Sequence, residues 1–366
     1  MSRIVAHFDL DYFYAQVEEV QDPSIRERPV IVCVFSGRTA DSGVVSTSNY
    51  VARALDVRSG MPIVVAKKRL EGKNPAIFKM DRPKYERVSE RVMDVLRGQT
   101  DVVEQTGIDE AFLDLTKSSG GSFPAAVTIC QGIKSSVLEK ERLTCTIGIG
   151  TSKAVAKIAS DFAKPDGLKS VPPESTSNFL FPLPVAKLSG VGPKTEGILK
   201  ALGISTLEQL AKAPVQDLEA VLGRKLAAYL ASAAKGEEDD PVVLNQGRTQ
   251  MSKILTLKQD TRDPAEISGQ LGQAVQELHE KILESGKSFR VLTFIGIMTD
   301  LDLRTKSRSF ESPIMDIETM RDGLSKLVAE LVESTPKSFR RAGVRLSDLR
   351  EAADQKSLSE FANNGR

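Results

Sequence analysis

The sequence predicts a multidomain α+β protein. In the first 166 of its 366 residues, short apolar runs alternate with stretches whose apolar residues recur at helical spacing. Between residues 184 and 235, short helical patterns are punctuated by Gly and Pro, without a strand-like run. Between residues 251 and 346 the order of predicted elements is βαββαβ. Because three different patterns follow one another, we expect separate domains rather than one large core.

Each element of the first region is predicted from its own pattern. Continuous apolar and β-branched runs indicate strands, and apolar residues three and four apart indicate helices. Pro165 and Gly167 end the last of these helices. The predicted strands are Ile4–Phe8, Val30–Phe35, a short strand within Val44–Leu55, a hairpin within residues 101–115, and Leu143–Ile149. The predicted helices are Tyr12–Val20, the second part of Val44–Leu55, Lys84–Arg97, Phe123–Leu138 and Ser152–Ala163.

The C-terminal region is predicted to be a split βαββαβ unit with both helices on one face of its sheet. Its predicted elements are strand Met251–Leu257, helix Pro264–Leu283, strands Arg290–Met298 and Leu303–Phe310, helix Met315–Val332 and strand Phe339–Leu346. Basic residues at period two predict a basic exposed sheet face, formed by Arg304, Lys306, Arg308, Arg341 and Arg345. The acidic run Glu237–Asp240, between Gly236 and Pro241, predicts a solvated linker before this unit.

The composition excludes several classes of site. Lys plus Arg number 50 against 49 Asp plus Glu, so net charge alone predicts no polyanionic partner. Cys33, Cys130 and Cys145 are widely spaced among apolar residues, which argues against disulfides or a zinc site. With only two histidines, a metal site must rely on carboxylates, which favours Mg²⁺ or Mn²⁺. No apolar stretch approaches the roughly 20 residues of a membrane span, and no signal-peptide pattern is present, so we expect a cytoplasmic protein.

Two acidic clusters form the main candidate site. Asp9 follows the apolar run Ile4–Phe8, and Asp109 and Glu110 lie in the predicted hairpin. An Asp after a strand is often only a helix cap, but two strands that both deliver carboxylates from an apolar core favour cation binding, because buried charges are costly. Successive strand residues point to opposite faces, so the hairpin acids can converge only at a turn or bulge, which Gly107 would permit. We therefore predict a site for two divalent metals.

Two further patterns indicate phosphate binding. Gly190-Val191-Gly192, followed by Lys194, predicts a helix-hairpin-helix whose exposed amides bind a DNA phosphate; an ordinary tight turn is the alternative. Tyr50 and Arg53 share one helix face and, with Lys164, could hold a triphosphate. Solvated basic residues at these positions are an equally ordinary interpretation.

These segments resemble the Y-family DNA polymerases, and most closely the archaeal enzymes of the DNA polymerase IV class. Each segment alone is weak evidence, but together they follow the family's order across nearly the whole chain. The matching segments are Phe8–Glu18, Cys33–Arg38, Asp41–Gly43, Ser48–Arg53, Ile108–Asp114, Ala163–Gly167 and Gly190–Gly192.

The resemblance implies a right-hand architecture and a reaction. The implied domains are palm (1–10 and 77–166), fingers (20–76), helical thumb (167–235), linker (236–242), βαββαβ little finger (243–350) and tail (351–366). The implied activity is template-directed addition of deoxynucleotides to a primer 3′-hydroxyl, with low fidelity, lesion bypass and no proofreading. Two Mg²⁺ ions, replaceable by Mn²⁺, primer–template DNA and deoxynucleoside triphosphates are the implied cofactors and partners, and the protein is expected to be a monomer.

The resemblance also implies roles for individual residues. The implied metal ligands and catalytic acids are Asp9, Asp109 and Glu110, helped by the carbonyl of Leu10, whereas Asp11 is structural. The implied nucleotide-binding residues are Phe13, Tyr14, Thr47, Tyr50, Arg53 and Lys164, with Tyr14 as a steric gate against a ribose 2′-hydroxyl or, alternatively, a core residue. DNA would be held by Gly190, Gly192, Lys194 and the five basic sheet residues named above. A sliding clamp would bind the tail through Gln355, Leu358 and Phe361, for which a disordered tail is the alternative.

The sequence departs from the family pattern at three places. Gly107 replaces the usual Ser, Val44 and Ser46 stand where Ala is frequent, and Glu237–Asp240 is acidic where archaeal relatives tend to be basic, so it would repel DNA. Two other functions stay open. A nucleotidyl cyclase shares paired carboxylates on a palm-like sheet but lacks a helix-hairpin-helix and a basic βαββαβ domain. A non-catalytic DNA-binding protein would not be expected to keep the three acids, the triphosphate residues and Tyr14 together.

Overall fold

The computed structural model describes residues 3–100, 102–244 and 249–351. The chain forms two compact units, one of Met1–Val34 with Val44–Gln246 and one of Phe35–Gly43 with Gly247–Arg366. Among the described residues, no helix combines the length and the apolar character that crossing a membrane requires.

The first unit contains two sheets and a set of helices. Its strands are β1 (Val5–Leu10), β2 (Val30–Phe35), β3 (Gly43–Ser48), β4 (Ala76–Lys79), β5 (Val103–Gln105), β6 (Glu110–Asp114), β7 (Cys145–Gly150) and β8 (Leu168–Ser170). Its α-helices are α1 (Phe13–Gln21), α2 (Tyr50–Ala54), α3 (Ile63–Arg69), α4 (Arg82–Arg97), α5 (Phe123–Glu141), α6 (Lys153–Ala163), α7 (Pro173–Leu180), α8 (Pro193–Ala201), α9 (Leu207–Lys212), α10 (Val215–Leu222) and α11 (Arg224–Ala233). The larger sheet has the order β5-β6-β1-β7-β8, and the smaller has the order β3-β2-β4.

The central strand β1 separates the main core from the polar face of the larger sheet. It pairs antiparallel with β6 on one side and with β7 on the other. Ala6, Phe8 and Leu10 are buried in a core that α4 and α5 complete. Because side chains alternate along a strand, His7 and Asp9 lie on the opposite face, against which α6 packs. The apolar positions thus fix the strand, and its other face carries the polar side chains.

A glycine of β7 determines how closely α6 approaches the sheet. A Cβ atom on Gly148 would lie 2.1 Å from the carbonyl oxygen of Ala156 and 2.2 Å from the main-chain nitrogen of Ser160. Any larger residue would therefore push the helix away from β1 and β7. Ser152 begins the helix by accepting a hydrogen bond from the main-chain nitrogen of Val155. The predicted strand and helix of this segment are confirmed to within two residues at each end.

Five short elements of the first unit were not predicted, namely α3, β4, β8, α7 and a 3₁₀ helix at Pro23–Ile25. The β-branched residues of α3 favour a strand, yet Ile63 and Ala66, three residues apart, are both buried, and the intervening Val64 and Val65 are exposed. Tertiary burial with helical spacing therefore outweighs local propensity. The strands β4 and β8 have only four and three residues, and their parallel pairing with β2 and β7 involves distant segments.

The segment from α7 to α11 is helical, as predicted, although it begins before residue 184. Its helices share one apolar core, which includes Leu180, Leu199, Leu207, Leu218 and Leu230. A short 3₁₀ helix at Val185–Lys187 precedes α8. The same core includes Val155 and Ile158 of α6, so the helical region packs against the helix that covers the larger sheet.

The acidic segment Glu237–Asp240 is anchored to the first unit. Glu238 is only 4% exposed, and its Oε1 accepts a 2.7 Å hydrogen bond from a main-chain nitrogen in the first turn of α6. Arg3 donates a 2.7 Å hydrogen bond to the carbonyl of Glu238, and Lys153 lies 3.0 Å from a carboxylate oxygen of Asp240. The predicted solvated linker is wrong at Glu238, which a helix N-terminus binds, whereas Glu237, Asp239 and Asp240 are exposed as expected.

The second unit has the predicted βαββαβ order, which is confirmed. Its elements are β9 (Gln250–Thr261), α12 (Pro264–Glu284), β10 (Lys287–Met298), β11 (Leu303–Ile314), α13 (Ile317–Glu333) and β12 (Phe339–Glu351). The strands form an antiparallel sheet in the order β11-β10-β12-β9. Both helices cover one face, where residues such as Leu292, Phe294 and Val344 are buried.

The basic residues of β11 lie on the helix-covered side of this sheet. The register places Lys306 opposite Phe294, which is buried beneath the helices, and directly opposed residues share a face. Lys306 Nζ accordingly lies 3.1 Å from a carboxylate oxygen of Glu330 on α13. The same alternation places three basic residues on this side, namely Arg304, Lys306 and Arg308.

Arg341 and Arg345 of β12 lie on the other face, since Ala342 and Val344 between them belong to the core. The predicted single basic face is therefore wrong: two of the five residues lie on the face away from the helices. A register irregularity at this end of β12 leaves Arg340, which is exposed, as an additional cation next to Arg341.

Candidate active site

The three candidate carboxylates converge at one end of the larger sheet of the first unit. Asp9, near the end of β1, pairs with Glu110, the first residue of β6. Asp109 lies in the turn before β6, where the main-chain nitrogen of Gly107 donates a 3.2 Å hydrogen bond to the carbonyl of Glu110. The main-chain nitrogen of Leu10 donates to the carbonyl of Asp109 at 2.9 Å. The turn predicted for Asp109 and Glu110 is confirmed.

A single cleft next to these acids contains all the predicted nucleotide-binding residues. Its volume is about 290 Å³, close to the lower end of the roughly 300–1,000 Å³ typical of small-molecule sites. The lining residues are Asp9, Leu10, Tyr12, Phe13, Tyr14, Ser46, Thr47, Tyr50, Arg53, Ser59, Asp109 and Lys164. Tyr12 and Ser59 were not predicted, and Glu110 is outside the lining set, directly beside Asp109.

Two lysines hold the carboxylates in this structure. Lys164 Nζ lies 2.8 Å from Asp9 Oδ2 and 3.2 Å from Asp161 Oδ1. Lys157 Nζ lies 2.5 Å from Glu110 Oε2. Within the described ranges, no three His, Cys, Asp or Glu side chains are arranged as a ready metal site. The donors still fit a hard divalent cation, because carboxylates and a main-chain carbonyl are the ligands that Mg²⁺ and Mn²⁺ prefer.

The environments of the acids shift their pKa values in different directions. Burial raises the pKa of Asp9 to about 6, although Lys164 opposes the shift. Burial, followed by the charge of Glu110, raises the pKa of Asp109. The contacts of Glu110 with His7 and then with Lys157 lower the pKa of Glu110 below its usual range. Burial thus disfavours the ionised forms of Asp9 and Asp109, whereas Glu110 is ionised. A bound cation would stabilise all three carboxylates in their ionised forms.

Asp11 has the contacts of a structural residue. It is 1% exposed, and its carboxylate accepts hydrogen bonds from the hydroxyls of Thr144 at 3.0 Å and Thr146 at 2.8 Å. It also accepts a 2.9 Å hydrogen bond from the main-chain nitrogen of Asp166. These contacts tie the end of β1 to β7 and to the turn after α6, which supports the structural role expected for Asp11.

A buried polar network places the basic and aromatic side chains of α2. Asn49 caps α2 with its side chain and donates a 2.8 Å hydrogen bond to Glu19 Oε1. The other oxygen of Glu19 accepts from the hydroxyl of Tyr12 at 3.1 Å. The ring of Tyr12 meets that of Tyr50 edge to face at 5.2 Å, and the guanidinium of Arg53 lies 4.9 Å from the Tyr50 ring centroid. Sequence reasoning did not identify Asn49 or Glu19, whose partners are distant along the chain.

The ring of Tyr14 packs against a second aromatic ring. Its ring centroid lies 4.5 Å from that of Tyr85, which is fully buried. The Tyr85 hydroxyl donates a 2.5 Å hydrogen bond to Glu18 Oε1, and Lys84 pairs with the same oxygen at 2.5 Å. Tyr14 itself is half-buried and lines the cleft, so both its packing and its exposure are consistent with a rigid wall residue.

The predicted hairpin of the helical region is present in the first unit. Gly190 has φ +88°, which favours glycine, and Gly192 begins α8. Gly192 and Lys194 are both exposed at the start of that helix. The residues expected to bind a sliding clamp, Gln355, Leu358 and Phe361, lie outside the described residues.

Family models match most of the chain. Residues 8–161 match the impB/mucB/samB family, residues 248–359 match the C-terminal domain of the impB/mucB/samB family, and residues 173–204 match the IMS family HHH motif. The last match covers the hairpin with Gly190 and Gly192.

Similar proteins match over nearly the whole length. DNA polymerase IV of Nitrosopumilus maritimus is 38% identical over 98% of this chain and 99% of its own, and DNA polymerase IV 1 of Methanosarcina mazei is 39% identical over 99% and 100%. A solved Y-family DNA polymerase chimera, Dbh-Dpo4(243-245)-Dbh, has a TM-score of 0.89 at 36% identity, covering 94% of this chain and 98% of that chain. An insertion ternary complex of Dbh DNA polymerase has a TM-score of 0.69 at 36% identity, with the same coverage.

Proposed function

Because the chain belongs to the impB/mucB/samB family of Y-family DNA polymerases and is a low-fidelity translesion DNA polymerase, we propose that the cleft beside Asp9 and Asp109 is its site of nucleotidyl transfer. The main support for this proposal is that side chains from distant parts of the chain meet in one cleft. Acids from β1 and the turn before β6 meet, in one cleft, the basic and aromatic side chains of α2 and the lysine that follows α6. Polymerases of this family are metal-dependent nucleotidyltransferases.

We assign the domains of the right hand on the same basis. Strands β1, β5, β6 and β7 with α4–α6 would be the palm (1–10 and 77–166), and β2 and β3 with α2 and α3 the fingers (20–76). These boundaries cut across both sheets, because β4 (Ala76–Lys79) pairs with β2 of the fingers and β8 (Leu168–Ser170) pairs with β7 of the palm. The helices α7–α11 would form the thumb (167–235), and β9–β12 with α12 and α13 the little finger (243–350).

Asp9, Asp109 and Glu110, with the carbonyl of Leu10, would hold two Mg²⁺ ions. When bound, such ions lower the pKa of the primer 3′-hydroxyl and offset negative charge on the phosphates during in-line attack on the α-phosphate. Mn²⁺ would substitute because it takes the same oxygen ligands. The residues of the chain fix the positions of these oxygens, because β1 and β6 are paired at Asp9 and Glu110.

The triphosphate would lie along α2 and the start of α1. Arg53 and Lys164 supply positive charge, and Tyr50 and Thr47 supply hydroxyls, within the same cleft. The first amides of α1, including those of Phe13 and Tyr14, lack intrahelical acceptors and are suited to phosphate oxygens. The half-buried ring of Tyr14, supported by Tyr85, would occupy the space of a ribose 2′-hydroxyl.

Primer–template DNA and a deoxynucleoside triphosphate would bind together. Two similar structures are described as an insertion ternary complex and a post-insertion binary complex of Dbh DNA polymerase. The exposed amides at Gly190 and Gly192, with Lys194, would contact DNA phosphates from the thumb. In the second unit Arg341 and Arg345 are better candidates than Arg304, Lys306 and Arg308, because the latter lie on the helix-covered side and Lys306 is paired with Glu330.

We further propose that the protein acts as a monomer and that a sliding clamp binds the tail. The clamp-binding residues would be Gln355, Leu358 and Phe361. Docking of this peptide would lengthen synthesis on a primed template without changing the chemistry at the cleft.

Extension of a labelled primer tests the proposed site. The wild type should extend the primer with Mg²⁺. Extension by Asp109→Asn should be slower by about a thousandfold or more, because the negative charge of a proposed metal ligand is lost. Asp94→Asn is the matched control, since Asp94 is an exposed acid of α4 that pairs with Arg97. Binding of primer–template, measured by fluorescence anisotropy, should stay within about twofold of the wild type.

Two results would contradict this proposal. Undiminished extension by Asp109→Asn would show that the carboxylate is not part of the reacting site. Binding of DNA without extension by the wild type would instead favour the non-catalytic alternative.

A further inference from the structure

A chain of hydrogen bonds behind Glu110 has no part in the mechanism described above; it is partly exposed at Lys157 and buried at His7 and Ser160. Lys157 Nζ lies 2.5 Å from Glu110 Oε2 and 3.2 Å from His7 Nε2. His7 Nδ1 lies 2.7 Å from Ser160 Oγ, which is on the same helix as Lys157. The contacts therefore connect Ser160 of α6 with His7 of β1, His7 with Lys157 of α6, and Lys157 with one oxygen of Glu110.

The ring of His7 has little freedom. It is completely buried, and its centroid lies 4.7 Å from the ring of Phe112 on the neighbouring strand. The Ser160 hydroxyl donates to the carbonyl of Lys157 at 2.8 Å, so its oxygen accepts the proton of His7 Nδ1. His7 Nε2 lies 3.2 Å from Lys157 Nζ and 3.3 Å from Glu110 Oε2, so the ring contacts both members of the ion pair.

The Lys157 ammonium can donate to His7 Nε2 and Glu110 Oε2 at the same time. The other oxygen of Glu110 accepts a 3.2 Å hydrogen bond from the hydroxyl of Thr106. A Cβ atom on Gly107 would lie 2.9 Å from Glu110 Cγ, so the glycine leaves room for this conformer. Contacts with Lys157 and Thr106 thus fix the rotamer of Glu110, and the missing side chain at Gly107 leaves space for it.

We propose that Lys157 is a positioning residue for Glu110 and that His7, oriented by Ser160, keeps Lys157 in place. This inference rests on the proposed function, because it takes Glu110 as a metal ligand. Partners that orient a ligating carboxylate commonly change metal affinity or activity by about 10- to 100-fold when they are removed.

The direction in which cation affinity changes when Lys157 is removed distinguishes a positioning role from an effect of its charge alone. The ammonium of Lys157 repels a cation bound nearby, so loss of its charge alone would strengthen cation binding. Loss of positioning would weaken cation binding, because Glu110 would then have to be ordered by the metal itself. Weaker binding after removal of Lys157 is therefore specific to the proposed role.

Tyrosine-sensitised luminescence of Tb³⁺ provides a readout that does not depend on turnover. The chain has no Trp and five Tyr, and three of these, Tyr12, Tyr14 and Tyr50, line the cleft. Tb³⁺ alone would be titrated into the full chain without DNA or nucleotide. Lys157→Met should raise the half-saturating Tb³⁺ concentration by about tenfold, and His7→Phe, which keeps a buried ring, should raise it by about threefold.

Two variants serve as controls for charge and for the helix. Lys157→Arg keeps a cationic donor and should restore most of the affinity. Lys153→Met makes the same substitution one turn earlier on α6, where the lysine pairs with Glu104 and Asp240, and should behave as the wild type. In primer extension Lys157→Met should lower kcat by about 10- to 100-fold with the KM for nucleotide within twofold, since Lys157 does not line the cleft.

The outcomes distinguish this inference from the function on which it rests. Unchanged or tighter Tb³⁺ binding by Lys157→Met would overturn the positioning role, and wild-type affinity in His7→Phe would remove His7 from it. If Asp109→Asn also kept the full Tb³⁺ signal, the metal site itself would be misplaced, and the proposed function would fail with it.

Discussion

Asp9 and Glu110 face each other on paired strands, yet each carboxylate is bound by a different lysine. Lys164 lies on Asp9 and lines the cleft, whereas Lys157 lies on Glu110 behind it. A cation that binds Asp9 would release Lys164, which is then available to the triphosphate in the same cleft. Metal and nucleotide binding would be linked through this one side chain, whereas Lys157 would keep its place.

Individual site residues could be predicted where a local pattern marked them or, as for Phe13, Tyr14 and Thr47, where the family resemblance implied them. Asp9 ends an apolar run, and Asp109 lies in a turn beside a glycine, so both were identifiable from nearby residues. His7 and Lys157 could not be identified in this way, because 150 positions separate them and only the pairing of α6 with β1 brings them together. A lone histidine in a strand is more often a core residue.

The sugar selectivity of the enzyme should depend on the ring of Tyr14. Tyr14→Ala should increase the kcat/KM for ribonucleotides relative to deoxynucleotides by about 10- to 100-fold, because the space beside the ribose opens. Tyr14→Phe, which keeps the ring and its packing on Tyr85, should discriminate as the wild type does. Single-nucleotide insertion with each sugar measures both ratios, and unchanged discrimination in the alanine variant would exclude the gate role.

At the scale of elements, alternating and continuous apolar runs were sufficient to predict the long strands and helices. β2 was predicted with its observed bounds, and the βαββαβ order of the second unit is as expected. The short elements were missed because their cause is not local. α3 is rich in β-branched residues, and its helical state follows from the burial of Ile63 and Ala66.

The faces of the edge strand β11 show a second limit of sequence patterns. Period two correctly predicts that Arg304, Lys306 and Arg308 share a face, but not which face that is. Residues Leu303 to Ser309 are all exposed, because β11 is at the edge of its sheet. Without an alternation of buried and exposed positions, only the register with β10 decides the side.

The anchored acidic segment predicts a stability effect. Glu238→Ala should lower the free energy of unfolding by about 1–2 kcal/mol, because a nearly buried carboxylate bound to the first turn of α6 is lost. Glu237→Ala, an adjacent exposed acid, should change it by less than about 0.5 kcal/mol. Urea titrations of both variants make the comparison; equal effects would mean that Glu238 contributes only as surface charge.

At the scale of the whole molecule, a net charge of +1 leaves DNA binding to local groups. The family assignment rests on similarity along nearly the full chain, whereas each motif alone was ambiguous. The sequence was most informative about the order of strands and helices and least informative about contacts between distant residues. The second unit was predictable as a fold because its core is built from periodic apolar positions, whereas the first unit was predicted only as a series of elements.

Salt dependence of DNA binding should distinguish the two basic groups of the second unit. Arg345→Ala should reduce the slope of log affinity against log salt by about one, because one phosphate contact is lost. Lys306→Ala should leave the slope nearly unchanged, since its ammonium pairs with Glu330 on the helix-covered side. Binding titrations at several salt concentrations measure the slopes, and a larger change for Lys306→Ala would reverse the assignment of faces.

Counting the metal ions bound beside Asp9, Asp109 and Glu110 is the most direct measurement for the central claim. The full chain would be mixed with a chain-terminated primer–template, the next complementary nucleotide and Mn²⁺, and free Mn²⁺ would be measured by electron paramagnetic resonance. The expected result is about two ions per protein for the wild type and fewer than one for Asp109→Asn, with Asp94→Asn equal to the wild type. Two ions bound equally well by Asp109→Asn would contradict it.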